Sequence, residues 1–152
     1  MSTAVFFGRC NLPTPAHAAL IRNLCSRYDN VYIYLSDNCR CTDLGQRVTV
    51  LWDLVGVQPN LSIDSASSMY RAFEAHADQE EVYFCGGEDR EADITTLANR
   101  FGVNYHIFSR GDGISSTLMR ELIDAKDWEA LSQFYTEVQL TQVIHLRYQE
   151  LA

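Results

Sequence analysis

Residues 4–21, AVFFGRCNLPTPAHAALI, decide how the rest of the chain is read. Ala4 to Phe7 is a short apolar run of the kind that forms a buried strand, and Gly8 ends it. From Thr14 the pattern turns helical, with Ala16, Leu20, Leu24 and Tyr28 at near-helical spacing through to Tyr28. Thr14-Pro15-Ala16-His17 has the grammar of a helix start. Thr14 is the N-cap, Pro15 takes the first helical position where its missing N–H costs nothing, and His17 falls in the first turn. The unpaired N–H groups and the positive end of the helix dipole make such a start an anion site. The dipole lowers a histidine's proton affinity there, yet beside a polyphosphate its ring donates a hydrogen bond and stabilises charge moving onto a leaving group.

The alternation continues along the chain. Val31 to Leu35 reads as a second strand, and 45–55 as an amphipathic helix on the stripe Val48, Leu51, Trp52, Val55. Leu61 to Ile63 is a short third strand, followed by a helix from Ser67 to Ala77. Val82 to Cys85 is a fourth strand running into Gly86-Gly87, Ile94 to Phe101 a helix stopped by Gly102, and Tyr105 to Phe108 a fifth strand. Helices are expected over Ser116 to Asp124, Trp128 to Tyr135 and Val138 to Leu151. With no repeat, linker or low-complexity segment, residues 1–152 read as a single domain in which 127–152 is a helical extension.

Strands alternating with helices imply right-handed βαβ units. The fold class is therefore α/β: a doubly wound, Rossmann-like, mainly parallel sheet of five strands in the order 3-2-1-4-5, with extra C-terminal helices. In that order the chain reverses between strands 1 and 4, and ligands bind beyond the carboxyl ends of the strands at that point. The loops after strands 1, 4 and 5 carry GRCNLPTPAH, CGGEDR and SRGDGISSTLMR.

Composition narrows the partners. The chain carries 20 acidic and 12 basic residues, a formal charge of -8, which argues against a broad attraction to nucleic acid or an anionic membrane. No run approaches the roughly 18 apolar residues of a membrane span. Lys126 is the sole lysine, so arginines, which grip phosphate oxygens with two parallel bonds, must hold any anion. The five cysteines are odd in number and scattered, without a secretory leader, so a reducing cytoplasmic setting is expected. Cys39-Arg40-Cys41 is the only close pair; a zinc or redox role for it lacks a second pair at suitable spacing, and no metal-binding residue is expected.

FFGRCNLPTPAH followed about a hundred residues later by Ile114-Ser115-Ser116-Thr117-Leu118-Met119-Arg120 resembles the nucleotidylyltransferase superfamily, with its (H/T)xGH and ISSTxxR motifs. GGEDR falls between the two in the expected order, so the likeness covers most of the chain, and its flavour is that of compact phage-encoded members. The resemblance implies that an acceptor's phosphate attacks the α-phosphate of a nucleoside triphosphate, releasing pyrophosphate, with transfer of AMP or CMP. Thr14, His17 and Arg120 would be catalytic, His17 stabilising the transition state and Arg120 holding the leaving pyrophosphate. Gly8, Arg9, Asn11, Gly87, Asp89, Ile114, Ser115, Ser116 and Thr117 would bind the nucleotide, the hydroxyls and helix-start N–H groups of 115–117 meeting the β- and γ-phosphates. Arg40, Arg47 and Arg110 are candidate phosphate holders, Arg110 standing where many cytidylyltransferases have an arginine. Mg²⁺ is expected with the nucleotide, held by phosphates and water.

The motif's glycine before the histidine is Ala16 here, and the lysine that many members carry after strand 2 is missing. These departures motivate the alternative of an impaired member of the fold acting as a binding or structural protein in a larger assembly such as a phage particle, or in a homo-oligomer. The expected partners are otherwise a nucleoside triphosphate and a small phosphorylated acceptor. His76, His106 and His145 read as structural, and Trp52, Trp128 and the tyrosines of YDNVYIY as packing groups.

Overall fold

A computed structural model describes residues 1–38, 42–109 and 114–152. Cys39, Arg40, Cys41, Arg110 and 111–113 lie outside the described residues, and with them the expectations placed on Arg40, Arg110 and the cysteine pair. Five strands, β1 (Thr3–Gly8), β2 (Asn30–Ser36), β3 (Leu61–Ala66), β4 (Val82–Gly87) and β5 (Asn104–Phe108), form one sheet in the order β3-β2-β1-β4-β5. Every neighbouring pair is parallel, and β1 at the centre pairs Val5 with Tyr32 on one side and with Phe84 on the other. This is the expected doubly wound order.

The helices are α1 (Pro15–Arg27), α2 (Leu44–Val55), α3 (Met69–Glu74), α4 (Glu91–Phe101), α5 (Ser116–Asp124), α6 (Trp128–Leu131) and α7 (Glu137–Leu151). Among the described residues none is long and apolar enough to cross a membrane. Several differ from the expected bounds for physical reasons. Strand β3 runs on through Asp64 to Ala66 because those residues pair with Tyr34 to Ser36, and backbone pairing carries polar side chains that an apolar pattern misses. Helix α3 starts later because the Ser68 hydroxyl caps it, accepting from the Arg71 N–H. Helix α4 starts earlier, at Glu91, behind a 3₁₀ turn from Glu88 to Arg90, because acidic residues suit a first turn without belonging to an apolar stripe. Gly102, at φ 68°, ends α4 as expected.

The chain divides into two compact units, one of Met1–Gly8, Arg22–Asn38 and Gln58–Arg110, the other of Arg9–Ile21, Cys39–Val57 and Gly111–Ala152. In the first unit Val5, Val82 and Phe84 of the sheet pack with Met69, Ala72 and Phe73 of α3 and with Ile94 and Ala98 of α4. Phe73 stacks on Phe84 at 4.1 Å between ring centroids. His76 is buried here, its Nδ1 donating to Gln79 and its Nε2 accepting from the Tyr34 hydroxyl at 2.6 Å, which makes it structural.

In the second unit the core is Leu12, Val50, Met119, Ile123, Leu131, Tyr135, Val143 and Leu146. Helix α2 buries Arg47, Val50, Leu51 and Val55, so its inward stripe is rotated from the expected one, and Trp52 is only partly covered. Trp128 is 41% exposed and is not a core group.

At the end of β4, Gly86 is buried, and a Cβ there would collide with the Cδ1 of Ile94 on α4. Gly86→Ala should therefore destabilise the protein by about 1–3 kcal/mol, the usual cost of overpacking. Chemical denaturation checks this, and a further change of Ile94→Val in the same chain should recover part of the loss.

Candidate functional site

The loop after β1 has no ladder or helix to occupy its carbonyl groups, and side chains of the second unit do so instead. Arg47 Nη1 donates to the Arg9 carbonyl at 2.9 Å, Arg120 Nη2 to the Asn11 carbonyl at 2.6 Å, the Ser116 hydroxyl to the Leu12 carbonyl at 2.7 Å and the Tyr135 hydroxyl to the Pro13 carbonyl at 2.6 Å. Leu12 itself is fully buried in the core. A buried backbone acceptor must be paired, so these donors hold the path of the loop up to Thr14.

At Thr14 helix α1 begins with a reciprocal cap. The Thr14 hydroxyl accepts from the His17 N–H at 3.3 Å, and the Thr14 N–H donates to His17 Nδ1 at 3.1 Å. This is a capping box with histidine in the place of the usual Glu or Gln. The same chain holds the ordinary version at α7, where Thr136 N–H donates to Gln139 Oε1 at 2.9 Å and Gln139 N–H to the Thr136 hydroxyl at 3.2 Å.

Because a backbone N–H can only donate, Nδ1 of His17 is the unprotonated nitrogen and the ring's proton sits on Nε2. Burial holds the pKa of His17 down to about 4. Pro15 has no N–H, the His17 N–H is taken by Thr14, and the Ala18 N–H reaches the Thr14 carbonyl. Among the described residues, the donors left at this helix start are the Ala16 N–H and His17 Nε2–H. Ala16 is exposed, so its methyl group meets no obstacle within the protein.

Helix α5 supplies the second helix start. Ser115 is its N-cap, accepting from the Leu118 N–H at 3.1 Å. The Ser116 hydroxyl proton is engaged by Leu12, which sets the first turn of α5 beside the loop that leads into Thr14. Thr117 is exposed and Ile114 packs against the core. Arg120, one turn in, is held by Glu150 of α7 as well as by the Asn11 carbonyl: Nε lies 3.0 and 3.1 Å from the two carboxylate oxygens and Nη2 lies 2.8 Å from Oε2.

The other sequence candidates divide. Asn11 sits in the loop with its Nδ2 3.5 Å from Glu150, and Arg9 is exposed. Arg47 is fully buried and braces the loop from inside, which leaves no solvent-facing guanidinium for a ligand. Gly8, Gly87 and Asp89 belong to the first unit: Gly8 and Gly87 end neighbouring strands, and Asp89 is exposed in the 3₁₀ turn after β4. Tyr135 and Glu150 were not expected. Arg47 had a signal, an arginine on the same helical face as Val50, Leu51 and Leu54, whereas nothing in sequence links Glu150 to a residue 30 positions away.

No protein-family model matches the chain, and no curated protein matches it. Solved structures share its fold. One, from Vibrio parahaemolyticus and provisionally described as a nicotinate-nucleotide adenylyltransferase, aligns with a TM-score of 0.69 at 17% identity, over 100% of this chain and 98% of that one. Another, Thermotoga maritima TmcAL bound with alpha-thio ATP, aligns with a TM-score of 0.68 at 12% identity, over 95% of this chain; the alignment covers 55% of that protein's length. At these identities the likeness is one of fold.

The His17 environment has a measurable consequence. With its pKa lowered from 6.5 to about 4, the unfolded chain takes up a proton below pH 6.5 that the folded chain refuses until about pH 4. Stability is thus full above pH 6.5 and is lost as pH falls through that window, by on the order of 3 kcal/mol. His17→Gln restores the ordinary capping box without a titrating ring. Denaturation midpoints from pH 7 to pH 4 should fall less steeply for that variant than for the wild type, and parallel curves would contradict the assigned burial.

Proposed function

We propose that this chain is a nucleotidylyltransferase that transfers AMP or CMP from a nucleoside triphosphate to a small phosphorylated acceptor. An oxygen of the acceptor's phosphate attacks the α-phosphorus, the bond from that phosphorus to the bridging oxygen breaks, and pyrophosphate leaves with the bonding electrons. No covalent enzyme intermediate is needed. Catalysis is then mostly positioning and electrostatics.

The observation that carries this reading is the division of labour in the His17 ring. One nitrogen closes the cap and the other keeps its proton, at a helix start where Ala16 N–H is the second available donor. At α7 the capping glutamine spends its second group, Nε2, on Asp53; at α1 the corresponding second group is the His17 Nε2–H, for which a phosphate oxygen is the proposed acceptor. That donor would meet the phosphate oxygens on which charge develops, with Thr14 holding the ring. The backbone N–H groups of Ser116 and Thr117 and the remaining guanidinium nitrogen of Arg120 would take the β- and γ-phosphates. Asn11 and Arg9 would contribute to the nucleotide site. Mg²⁺ would arrive on the triphosphate. The ATP analogue in the TmcAL structure favours AMP over CMP as the group transferred.

Titrating a panel of nucleoside triphosphates with Mg²⁺ should raise the melting temperature, ATP above the others. With an acceptor supplied, pyrophosphate should be released, and His17→Ala should slow that release roughly 10²- to 10³-fold, as loss of a preorganised donor to developing charge does. His17→Gln keeps the helix start and a neutral N–H donor, so turnover above that of His17→Ala at normal stability is expected. No stabilisation by any nucleoside triphosphate would turn the reading to a binding or structural protein of the same fold.

A further inference from the structure

We propose that Glu150, near the end of α7, is a positioning residue for Arg120 in nucleotidyl transfer; this rests on the function proposed above. The Glu150 carboxylate lies side-on against Arg120, with Nε at 3.0 and 3.1 Å and Nη2 at 2.8 Å, while Nη2 also donates to the Asn11 carbonyl. Two further donors converge on it, Arg147 Nη1 at 3.6 Å and Asn11 Nδ2 at 3.5 Å. One edge of the Arg120 guanidinium is thereby fixed in direction by a planar fork. Nη1 makes no hydrogen bond among the described residues, and it is the edge left to reach a phosphate oxygen. Arg120 is 27% exposed and Glu150 15%, so the pair is sheltered enough for its geometry to persist while one side still opens to solvent.

A carboxylate on an arginine has a second meaning, that of a stand-in displaced when phosphate arrives. The anchoring of α7 argues against it. Arg147 is tied to Asp124 through Nε and Nη2 at 3.0 and 2.7 Å, Gln149 Oε1 accepts from the Asp43 N–H at 2.8 Å, and Val143 and Leu146 lie in the core. The turn that carries Glu150 is held on both sides of that residue's face, and moving it aside breaks contacts that have nothing to do with Arg120. The two roles predict opposite signs. Removing a stand-in anion strengthens phosphate binding, whereas removing an orienting fork weakens transfer.

The test uses Glu150→Gln and Glu150→Asp in the full chain, with melting temperatures to show that both fold. In Glu150→Gln, kcat should fall roughly 10- to 100-fold, the scale of misplacing a catalytic contact by about 1 Å, with KM for the triphosphate changing much less. Glu150→Asp, which keeps the charge, should recover part of kcat. Independently of turnover, the Arg120 Nε–H resonance, assigned by its loss in Arg120→Lys, should be sharp and slow to exchange in the wild type and broadened in Glu150→Gln. An unchanged resonance, or tighter binding of inorganic tripolyphosphate by Glu150→Gln, overturns the assignment. A wild type without turnover but with the expected loss of resonance would sink the proposed reaction and leave the positioning of Arg120 standing.

Discussion

The second unit is organised by the need to pair the carbonyl groups of a loop that belongs to no helix or strand. The carbonyls of Arg9, Asn11, Leu12 and Pro13 are met by a guanidinium from α2, a guanidinium and a hydroxyl from α5, and a phenol that follows α6. Each donor is itself placed by the apolar core around Leu12. Leaving any one acceptor buried and unpaired costs on the order of 1–3 kcal/mol, which makes four such bonds a strong selector of one loop path. A path fixed in this way delivers Thr14 to one position, and the helix start follows from it. The tyrosine hydroxyl illustrates the depth of the commitment, since burial pushes its pKa far above the ordinary value.

The two capping boxes make an internal comparison that needs no second protein. At α7 the box is Thr136 with Gln139, whose oxygen closes the cap while its Nε2 donates to Asp53 at 2.9 Å. At α1 the equivalent pair of hydrogen bonds is closed by His17, whose ring accepts where the glutamine oxygen does. The histidine makes an equivalent bond and is held neutral by its surroundings, with a second nitrogen that the cap does not use. The Gly86 contact with Ile94 shows the opposite kind of constraint in the first unit, where a side chain is excluded because a helix packs on the strand end. Glycine at the first position of GGEDR is thus explained by packing, and no ligand has to be invoked for it.

The strand order and the helix starts were legible in sequence because they rest on local patterns: apolar runs of strand length, Thr14-Pro15, and Ser115 ahead of an apolar periodicity. The bounds that slipped did so where backbone pairing or charge outweighs apolarity, as at Asp64 in β3 and Glu91 in α4. The site was legible in its residue types and less so in their engagements. Ser116 reads as a phosphate donor, yet its hydroxyl proton goes to Leu12; Arg47 reads as a candidate phosphate holder, yet it is wholly buried. Both engagements are long-range pairings with a carbonyl, and a carbonyl leaves no mark in a sequence. Glu150 shows the limit most clearly, because an acidic residue on an amphipathic helix looks the same whether it faces water or a guanidinium.

For the reaction proposed above, these engagements bear on how an anion would be held on a chain of net charge -8. Arg47 braces backbone, Arg147 is paired with Asp124, and Arg120 is neutralised in large part by Glu150. For these three arginines, attraction by unpaired positive charge would therefore be a small contribution, while Arg9 of the same loop is exposed. What would then meet the proposed triphosphate is a set of dipoles and single N–H groups at the starts of α1 and α5, whose strength depends on exclusion of water and on fixed direction. A site of that kind discriminates by geometry, favouring a ligand whose oxygens match several fixed donors at once over a simple anion of equal charge. A triphosphate passing through a transition state, with charge spreading onto the departing pyrophosphate, is such a ligand, and rigid donors cost no reorganisation when that charge appears.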